Sequence, residues 1–130
     1  MTNIKILITY HEEHPLIKSD ILSPIQTGCT LATSRFKDML HDDEGENISD
    51  KNPRYCELSA QYWAWKNYNK IGNPDFIGFM HYRRHFMFDG YEGDDNNVWL
   101  TKGNVYLFSK ITKQYLNHIA DKYITSTLQD

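Results

Sequence analysis

The chain has 130 residues, of which 40% are hydrophobic, and a formal net charge of -3 at pH 7. This length and apolar content suffice for one domain with a core of its own. The mild acidity excludes a general electrostatic attraction to nucleic acid or to an anionic membrane. Any anion-binding site must therefore be local.

The compartment is predicted from what the chain lacks. It has no long apolar segment of the signal-peptide kind near its beginning and no later run of membrane-spanning length. Cys29 and Cys56 fit no metal-ligand spacing and are expected to be free thiols in a reducing environment. We therefore expect a cytoplasmic protein.

The first strand is predicted at Ile4 to Tyr10, where β-branched and apolar residues dominate. His11 and His14 follow on a loop, without the helical spacing of a zinc-protease motif, so two exposed histidines are favoured over a metal site. A nucleotide base is often received directly after the first strand of an α/β sheet. Tyr10 and His11 are therefore candidate base contacts.

The segment from Pro15 to Asp50 has no clean period, and a short helix and a short strand both stay open for its first part. Arg35 to Leu40 is predicted as a helical turn, and His41 to Asp50 as a polar, acidic loop. The carboxylates of this loop lack the spacing of a calcium-binding loop. Solvated acids are therefore favoured over metal ligands.

A helix is predicted from Arg54 to Asn69, with Asn52 as N-cap and Pro53 at its first position. Gly72-Asn73-Pro74 marks its end. Because Trp63 and Trp65 are two residues apart, they project to different sides, and at least one should lie in the core. The stripe that we expect to be buried comprises Tyr55, Leu58, Tyr62, Trp65 and Asn69.

A second strand is predicted in Asp75 to Phe86, where Phe76 to Met80 show no polar alternation. This pattern is typical of a central strand that is covered on both faces. Two strands joined through a helix favour a parallel crossover.

The second strand ends in a cationic cluster that includes His81, Arg83 and Arg84. Ligands of open α/β sheets bind outside the carboxyl ends of the strands, so this cluster can face an anion. Forked guanidinium groups suit phosphate, and a nucleoside diphosphate is the natural candidate. The alternative is that the arginines point apart and pair with surface carboxylates, and charge pattern alone does not decide between these interpretations.

Several short motifs, in this order, resemble the capsular-polysaccharide glycosyltransferase-like family catalogued as domain of unknown function 4422. They are Thr9-Tyr10-His11, Pro15 to Asp20, Pro24-Ile25-Gln26, Asn47-Ile48-Ser49, Lys51-Asn52-Pro53, Tyr55 to Leu58, Tyr62 to Asn67, and Ile77-Gly78 leading to His81 through Phe86. Together they are far more specific than any one of them.

The resemblance implies a GT-A-like, Rossmann-type α/β fold, with a mostly parallel sheet flanked by helices and apparently truncated. It implies a glycosyltransferase that uses a nucleotide-diphosphate sugar and a glycan acceptor in bacterial capsule, exopolysaccharide or lipopolysaccharide synthesis. Galactofuranose transfer is one activity associated with similar proteins.

The resemblance also implies how the diphosphate is neutralised. GT-A enzymes usually carry an Asp-x-Asp metal site where this chain has His81-Tyr82-Arg83-Arg84. Arg83 and Arg84 would then neutralise the departing diphosphate, so no cofactor is required and a divalent metal is optional. Alternatively, one arginine faces the cleft and the other braces the loop.

The predicted site has His81, Arg83 and Arg84 as catalytic residues and no metal ligand. Structural alternatives exist for several other members: Asn47 and Ser49 are ordinary turn formers, Glu57 can pair with Arg83 or Arg84, and Lys66 can be a solvated helix-end lysine. The predicted substrate-binding residues are Tyr10, His11, Asn47, Ser49, Glu57, Lys66 and Tyr82.

We predict one α/β domain over residues 1–130, with a family-like nucleotide-sugar-binding part at 1–88 and a divergent tail at 89–130. The tail is expected to hold a strand at Val105 to Phe108 and a C-terminal amphipathic helix at Ile111 to Leu128. A glycosyltransferase, complete alone or as a homo-oligomer, and a non-catalytic or truncated nucleotide-sugar-binding domain are the two hypotheses. We expect no nucleic acid partner, and peripheral membrane association only through a lipid-linked acceptor.

Overall fold

A computed structural model of the chain describes residues 3–14, 16 and 18–83. Its strands are β1 (Ile4–Tyr10), β2 (Leu22–Gln26), β3 (Leu40–His41) and β4 (Phe76–His81). They form one parallel sheet in the order β3-β2-β1-β4. The helices are α1 (Asn52–Tyr55) and α2 (Leu58–Lys66), with 3-10 turns at Cys29–Leu31, Ser49–Lys51 and Tyr68–Ile71. The predicted α/β class and parallel sheet are confirmed.

β1 is the axis of the sheet, because β2 and β4 both pair with it in parallel. Its residues are apolar on both sides: Ile6 and Ile8 join one buried cluster, and Leu7 joins another with Trp63. Side chains of β4 also contact both clusters, as the sequence predicted. Within the described ranges, however, β1 and not β4 has a strand on each side.

The first part of the segment from Pro15, for which a helix and a strand both stayed open, contains a strand, β2. Pro24 lies inside this strand, opposite Ile8 of β1. Proline lacks the N–H that a ladder needs, and it is tolerated where no neighbour requires that donor. β3 pairs only with Ile25 and Gln26. On that side of β2, no strand of the described residues therefore needs a backbone N–H from Pro24.

The predicted helical turn at Arg35 to Leu40 is wrong, because residues 35–39 form a bent loop and Leu40 begins β3. The buried amide of Gln26 engages its backbone: Oε1 accepts from Phe36 N at 2.8 Å, and Nε2 donates to Ser34 O at 2.9 Å. Asp38 has a φ of 62°, which no right-handed helix accommodates. A side chain from β2 therefore overrides the local helical tendency.

The helix predicted from Arg54 to Asn69 is interrupted at Cys56, where φ is 51° and ψ is -129°. Asn52 does not cap the first turn; its Nδ2 donates to Cys56 O at 2.8 Å and to Ser59 Oγ at 3.0 Å. The side chain thus stabilises the interruption. The predicted end of the helix is wrong, because α2 ends at Lys66 and a 3-10 turn follows at Tyr68–Ile71. Gly72, with the left-handed φ of 87°, closes that turn.

The predicted buried stripe of this helix is also wrong. Tyr55, Leu58 and Trp65 are 47%, 49% and 67% exposed, whereas Trp63 is fully buried. α2 packs its alanines and Trp63 against the sheet, because small residues beside the indole let the helix approach closely. The prediction that at least one tryptophan belongs to the core is confirmed.

The predictions for residues 84–130 fall outside the described residues. They comprise Arg84, the tail beginning at 89, the strand at 105–108 and the helix at 111–128. All of them stay predictions.

Candidate functional site

The strand order reverses between β1 and β4. The chain continues from β1 to β2 and β3 on one side and then adds β4 on the other. Parallel sheets receive ligands outside the carboxyl ends of their strands at such a switch point. His11 directly follows β1 and His81 ends β4, and their ring centroids are 5.7 Å apart. The two predicted imidazoles therefore meet where this architecture favours a ligand.

A cleft of about 280 Å³ opens at this edge, between the strand ends and the beginning of the helical segment. This volume is close to the lower limit of about 300 Å³ for small-molecule pockets. Of the predicted site residues, His11, Glu57 and His81 line it together. The lining residues are Thr9, His11, Thr27, Asn52, Pro53, Cys56, Glu57 and His81.

Five lining residues were not predicted as site residues: Thr9, Thr27, Asn52, Pro53 and Cys56. Thr9 pairs with His81 in the sheet register and donates through Oγ1 to Met80 O at 3.2 Å. The carboxyl end of a strand was the available signal for Thr9. No comparable signal marked Thr27, since β2 was not recognised, or Cys56, since the helix was expected to be continuous.

Arg83 is the second residue after β4 and is exposed. Its backbone N–H donates to His81 Nδ1 at 3.2 Å. A ring nitrogen that accepts a hydrogen bond carries no proton, so neutral His81 is protonated at Nε2. No carboxylate in the described part of the chain forms an ion pair with Arg83, and the predicted alternative pairing with Glu57 is absent there.

Tyr82 and Tyr10 were predicted to contact substrate, but they are only 5% and 1% exposed. The two rings stack with centroids 5.6 Å apart, and Tyr82 also lies 4.5 Å from the ring of His81 and 5.1 Å from that of His11. Burial, reinforced by the charge of Glu12, raises the pKa of Tyr82. Tyr82 therefore packs against the imidazoles and Tyr10 stacks on Tyr82, so both rings are buried and neither presents a binding surface.

Asn47 and Ser49 are placed in turn geometry and do not line the cleft. Asn47 Nδ2 donates to Gly45 O at 2.8 Å, and its Oδ1 accepts from Ser49 N at 3.1 Å. Ser49 is fully buried, and its hydroxyl donates to Asp42 at 2.7 Å. The turn-forming alternative fits these contacts better than donor binding.

Lys66 lies at the far end of α2 from the cleft. Its Nζ is 3.5 Å from Glu46 Oε2 and 3.9 Å from the centroid of the Trp65 ring. These contacts support the alternative of a surface lysine at a helix end.

Asp42 is the organising residue that sequence reasoning missed. It is fully buried and accepts four hydrogen bonds. The donors are Gly28 N at 2.8 Å, Cys29 N at 3.1 Å, Ser49 Oγ at 2.7 Å and Ser59 Oγ at 2.7 Å. The expectation of solvated loop acids is therefore wrong for Asp42, which no local signal separated from the neighbouring carboxylates.

The residues that the structure describes contain no group of three His, Cys, Asp or Glu side chains that could hold a metal ion. His11, Glu57 and His81 line one cleft without forming such a group, so this donor set does not fit a resident metal. Over the same described residues, none of the helices has the length and apolarity that crossing a bilayer requires.

The fold is similar to a solved apo structure of the bifunctional glycosyltransferase WbbM. The TM-score is 0.68 at 31% sequence identity, and the match covers 91% of this chain and 22% of that chain. This chain therefore corresponds to under a quarter of that protein's length. No curated protein matches.

A family model matches residues 5–129, which include most of the tail where we recognised no family motif. With the structural match, it supports a glycosyltransferase-like α/β fold, as the ordered motifs implied. The chain belongs to the family described as Domain of unknown function (DUF4422).

Proposed function

We propose that this chain forms the donor-binding part of a glycosyltransferase. It would transfer a sugar from a nucleoside-diphosphate donor to a glycan acceptor in the assembly of a bacterial surface polysaccharide. The observation that carries the proposal is the cleft at the switch point, where His11, His81 and Glu57 converge. The similarity to a glycosyltransferase supports the reaction class.

The diphosphate side of the site would be formed by the end of β4. During transfer the bond from the anomeric carbon to the diphosphate oxygen breaks, and negative charge develops on that oxygen. The exposed guanidinium of Arg83, joined by Arg84, would neutralise this charge, and Nε2–H of His81 would donate to a phosphate oxygen.

For a transfer that inverts the anomeric configuration, the acceptor side requires a general base. The acceptor hydroxyl forms the new bond to the anomeric carbon and loses its proton. Glu57 is exposed and lines the cleft, so we assign it this role. His11 would contact the base or ribose of the donor. The acceptor is a glycan, and a lipid-linked one would bring the protein to a membrane surface.

A second candidate is a nucleotide-sugar-binding domain without catalytic activity. The observation in its favour is that Glu57 is the single carboxylate among the described residues that line the cleft. A cleft in which this one carboxylate does not act as the base binds a nucleotide without catalysing transfer.

Calorimetric titration with UDP and UDP-sugars, including UDP-galactofuranose, tests both candidates. Donor hydrolysis with and without EDTA then separates them. We expect UDP binding that Arg83→Ala weakens by about tenfold or more, the usual effect of losing a charge-assisted hydrogen bond. Arg35→Ala is the matched control, because that guanidinium is engaged by Asp43 and Glu44 at 2.9 and 2.8 Å.

The outcomes are distinct. Binding without turnover selects the second candidate, and the absence of UDP binding refutes both. Unchanged affinity in Arg83→Ala removes this residue from the site. Turnover that EDTA abolishes overturns the arginine-only neutralisation of the diphosphate.

A further inference from the structure

A second and larger cavity of about 650 Å³ lies at the opposite edge of the sheet. Lys5 and Ser23, each the second residue of its strand, line it from β1 and β2, and Lys70 lines it from the turn before Gly72. β1 has seven residues, so the amino and carboxyl edges are roughly 20 Å apart. One diphosphate cannot span both sites.

The cavity has an excess of positive charge. Lys5, Lys18 and Lys70 line it against a single carboxylate, that of Asp38, which leaves an excess of two positive charges. In the ranges that the structure describes, none of these lysines forms an ion pair. The whole chain, in contrast, carries a net charge of -3.

The contacts of the lysines leave their charges uncompensated. Lys5 Nζ donates to the backbone carbonyl of Asp20 at 2.6 Å, and Lys18 Nζ donates to that of Asp38 at 3.3 Å. Carbonyl oxygens hold the ammonium groups in place but carry no formal charge. The ammonium groups of Lys5 and Lys18 each have two further N–H donors for a ligand.

We propose that this cavity binds a small anion of the phosphate class with at least two negative charges. The excess of two positive charges matches a diphosphate or a phosphate monoester, and the Ser23 hydroxyl adds a neutral hydrogen-bonding group. Met39 and Ile71 line another part of the cavity, which suits an uncharged portion such as a sugar ring. The site is separate from the cleft at the carboxyl edge and does not depend on the function proposed for it.

Calorimetric titration with inorganic pyrophosphate tests this site. We expect the double variant Lys18→Gln/Lys70→Gln to bind pyrophosphate at least tenfold more weakly than the wild type. Lys5 is kept, because its bond to Asp20 O holds the chain before β2. Lys37→Gln removes an exposed lysine outside the cavity, and we expect its affinity to stay within twofold of the wild type. Circular dichroism verifies that each variant is folded.

Arg83→Ala separates the two edges of the sheet, because Arg83 belongs to the diphosphate site proposed for the carboxyl edge. We expect the Lys18→Gln/Lys70→Gln substitutions to weaken pyrophosphate binding at least tenfold in the Arg83→Ala background as well. Any one of three results overturns the proposal: no binding by the wild type, no loss of affinity from the double substitution in either background, or an equal loss in Lys37→Gln.

Two sugar ligands test the ligand class. Glucose 1-phosphate should bind more tightly than glucuronate, which has one carboxylate charge. Equal affinities for the two would contradict the phosphate class. If the cavity binds pyrophosphate but not glucose 1-phosphate, its ligand is a free inorganic diphosphate and not a sugar phosphate.

Discussion

The hydroxyl of Ser59 donates to the carboxylate of Asp42 across 2.7 Å, although the two residues are 17 positions apart in the chain. The same carboxylate accepts the backbone N–H groups of Gly28 and Cys29. One buried charge therefore joins the turn after β2 to the first turn of α2. Thr27, which precedes Gly28, and Cys56, whose carbonyl also accepts from the Ser59 hydroxyl, both line the cleft. Asp42 therefore fixes the relative positions of two walls of the cleft.

We predict that Asp42→Ala lowers the free energy of unfolding by about 3–5 kcal/mol, because it leaves buried donors without an acceptor. Urea denaturation followed by tryptophan fluorescence measures the change. Asp50→Ala is the control, since Asp50 is an exposed acid of the same loop, and it should cost no more than about 0.5 kcal/mol. A loss below about 1 kcal/mol for Asp42→Ala would contradict the role assigned to the network.

The two tryptophans of α2 provide a matched pair. Trp63 is fully buried and its indole N–H donates to Glu44 O at 2.6 Å, whereas Trp65 is 67% exposed. We expect Trp63→Ala to destabilise the protein by about 3–5 kcal/mol, through the cavity and the lost hydrogen bond. Trp65→Ala should cost less than about 1 kcal/mol. Similar losses in chemical denaturation would show that the buried face of α2 is assigned wrongly.

Substitution of Gly45 and of Gly72 by alanine distinguishes the cost of backbone strain from the cost of steric overlap. Their φ values are 82° and 87°, but a Cβ on Gly45 would lie 2.2 Å from Asn67 Oδ1, whereas the nearest atom at Gly72 is 3.8 Å away. Gly72→Ala should cost about 1 kcal/mol for its left-handed backbone. Gly45→Ala should cost roughly 2 kcal/mol more, because Asn67 must also move and lose its bond to Glu46 O. Equal thermal shifts would refute this close packing.

The two thiols should react at very different rates. Burial raises the pKa of Cys29 to about 12, so little of it is the reactive thiolate at pH 8. Cys56 is exposed and lines the cleft. We expect iodoacetamide at pH 8 to label Cys56 well before Cys29, as mass spectrometry of the peptides would report. If the cleft receives a nucleotide, UDP should slow the labelling of Cys56 and leave that of Cys29 unchanged; equal protection of both would indicate a global effect.

The thiol of Cys29 also predicts how stability depends on pH. Its pKa is about 12 in the folded protein, against an ordinary value of 9.0. Below pH 9 both states hold the proton, and the contribution to stability is fully present. As pH rises from 9 to 12, the unfolded chain loses the proton first, so stability falls. The raised pKa of Tyr82 acts in the same direction. Urea midpoints at pH 8 and 10.5 measure this fall, which Cys29→Ser should reduce; an identical fall in that variant would exclude the thiol as a cause.

Local patterns in the sequence were sufficient for β1, β4 and the end of the helical segment at Gly72, although not for the end of α2 at Lys66. Uninterrupted apolar residues predict a strand wherever the chain is buried on both sides, and glycine before Asn-Pro ends a helix in most contexts. The ordered motifs identified the family, and the carboxyl-edge rule brought His11 and His81 to one place. These features depend on residues that are close together in the chain or on a general property of parallel sheets.

Only the tertiary structure decided which face of the helical segment is buried and what holds the cleft together. The interruption at Cys56 separates Tyr55 from α2. Within α2 itself, Ala60, Trp63 and Ala64 face the sheet, so the aromatic stripe drawn from the sequence selects the wrong face. Asp42 looks like its solvated neighbours until β3 brings it beside Gly28 and Ser59. A buried carboxylate is stable only with donors around it, and here those donors come from segments that the sequence keeps far apart.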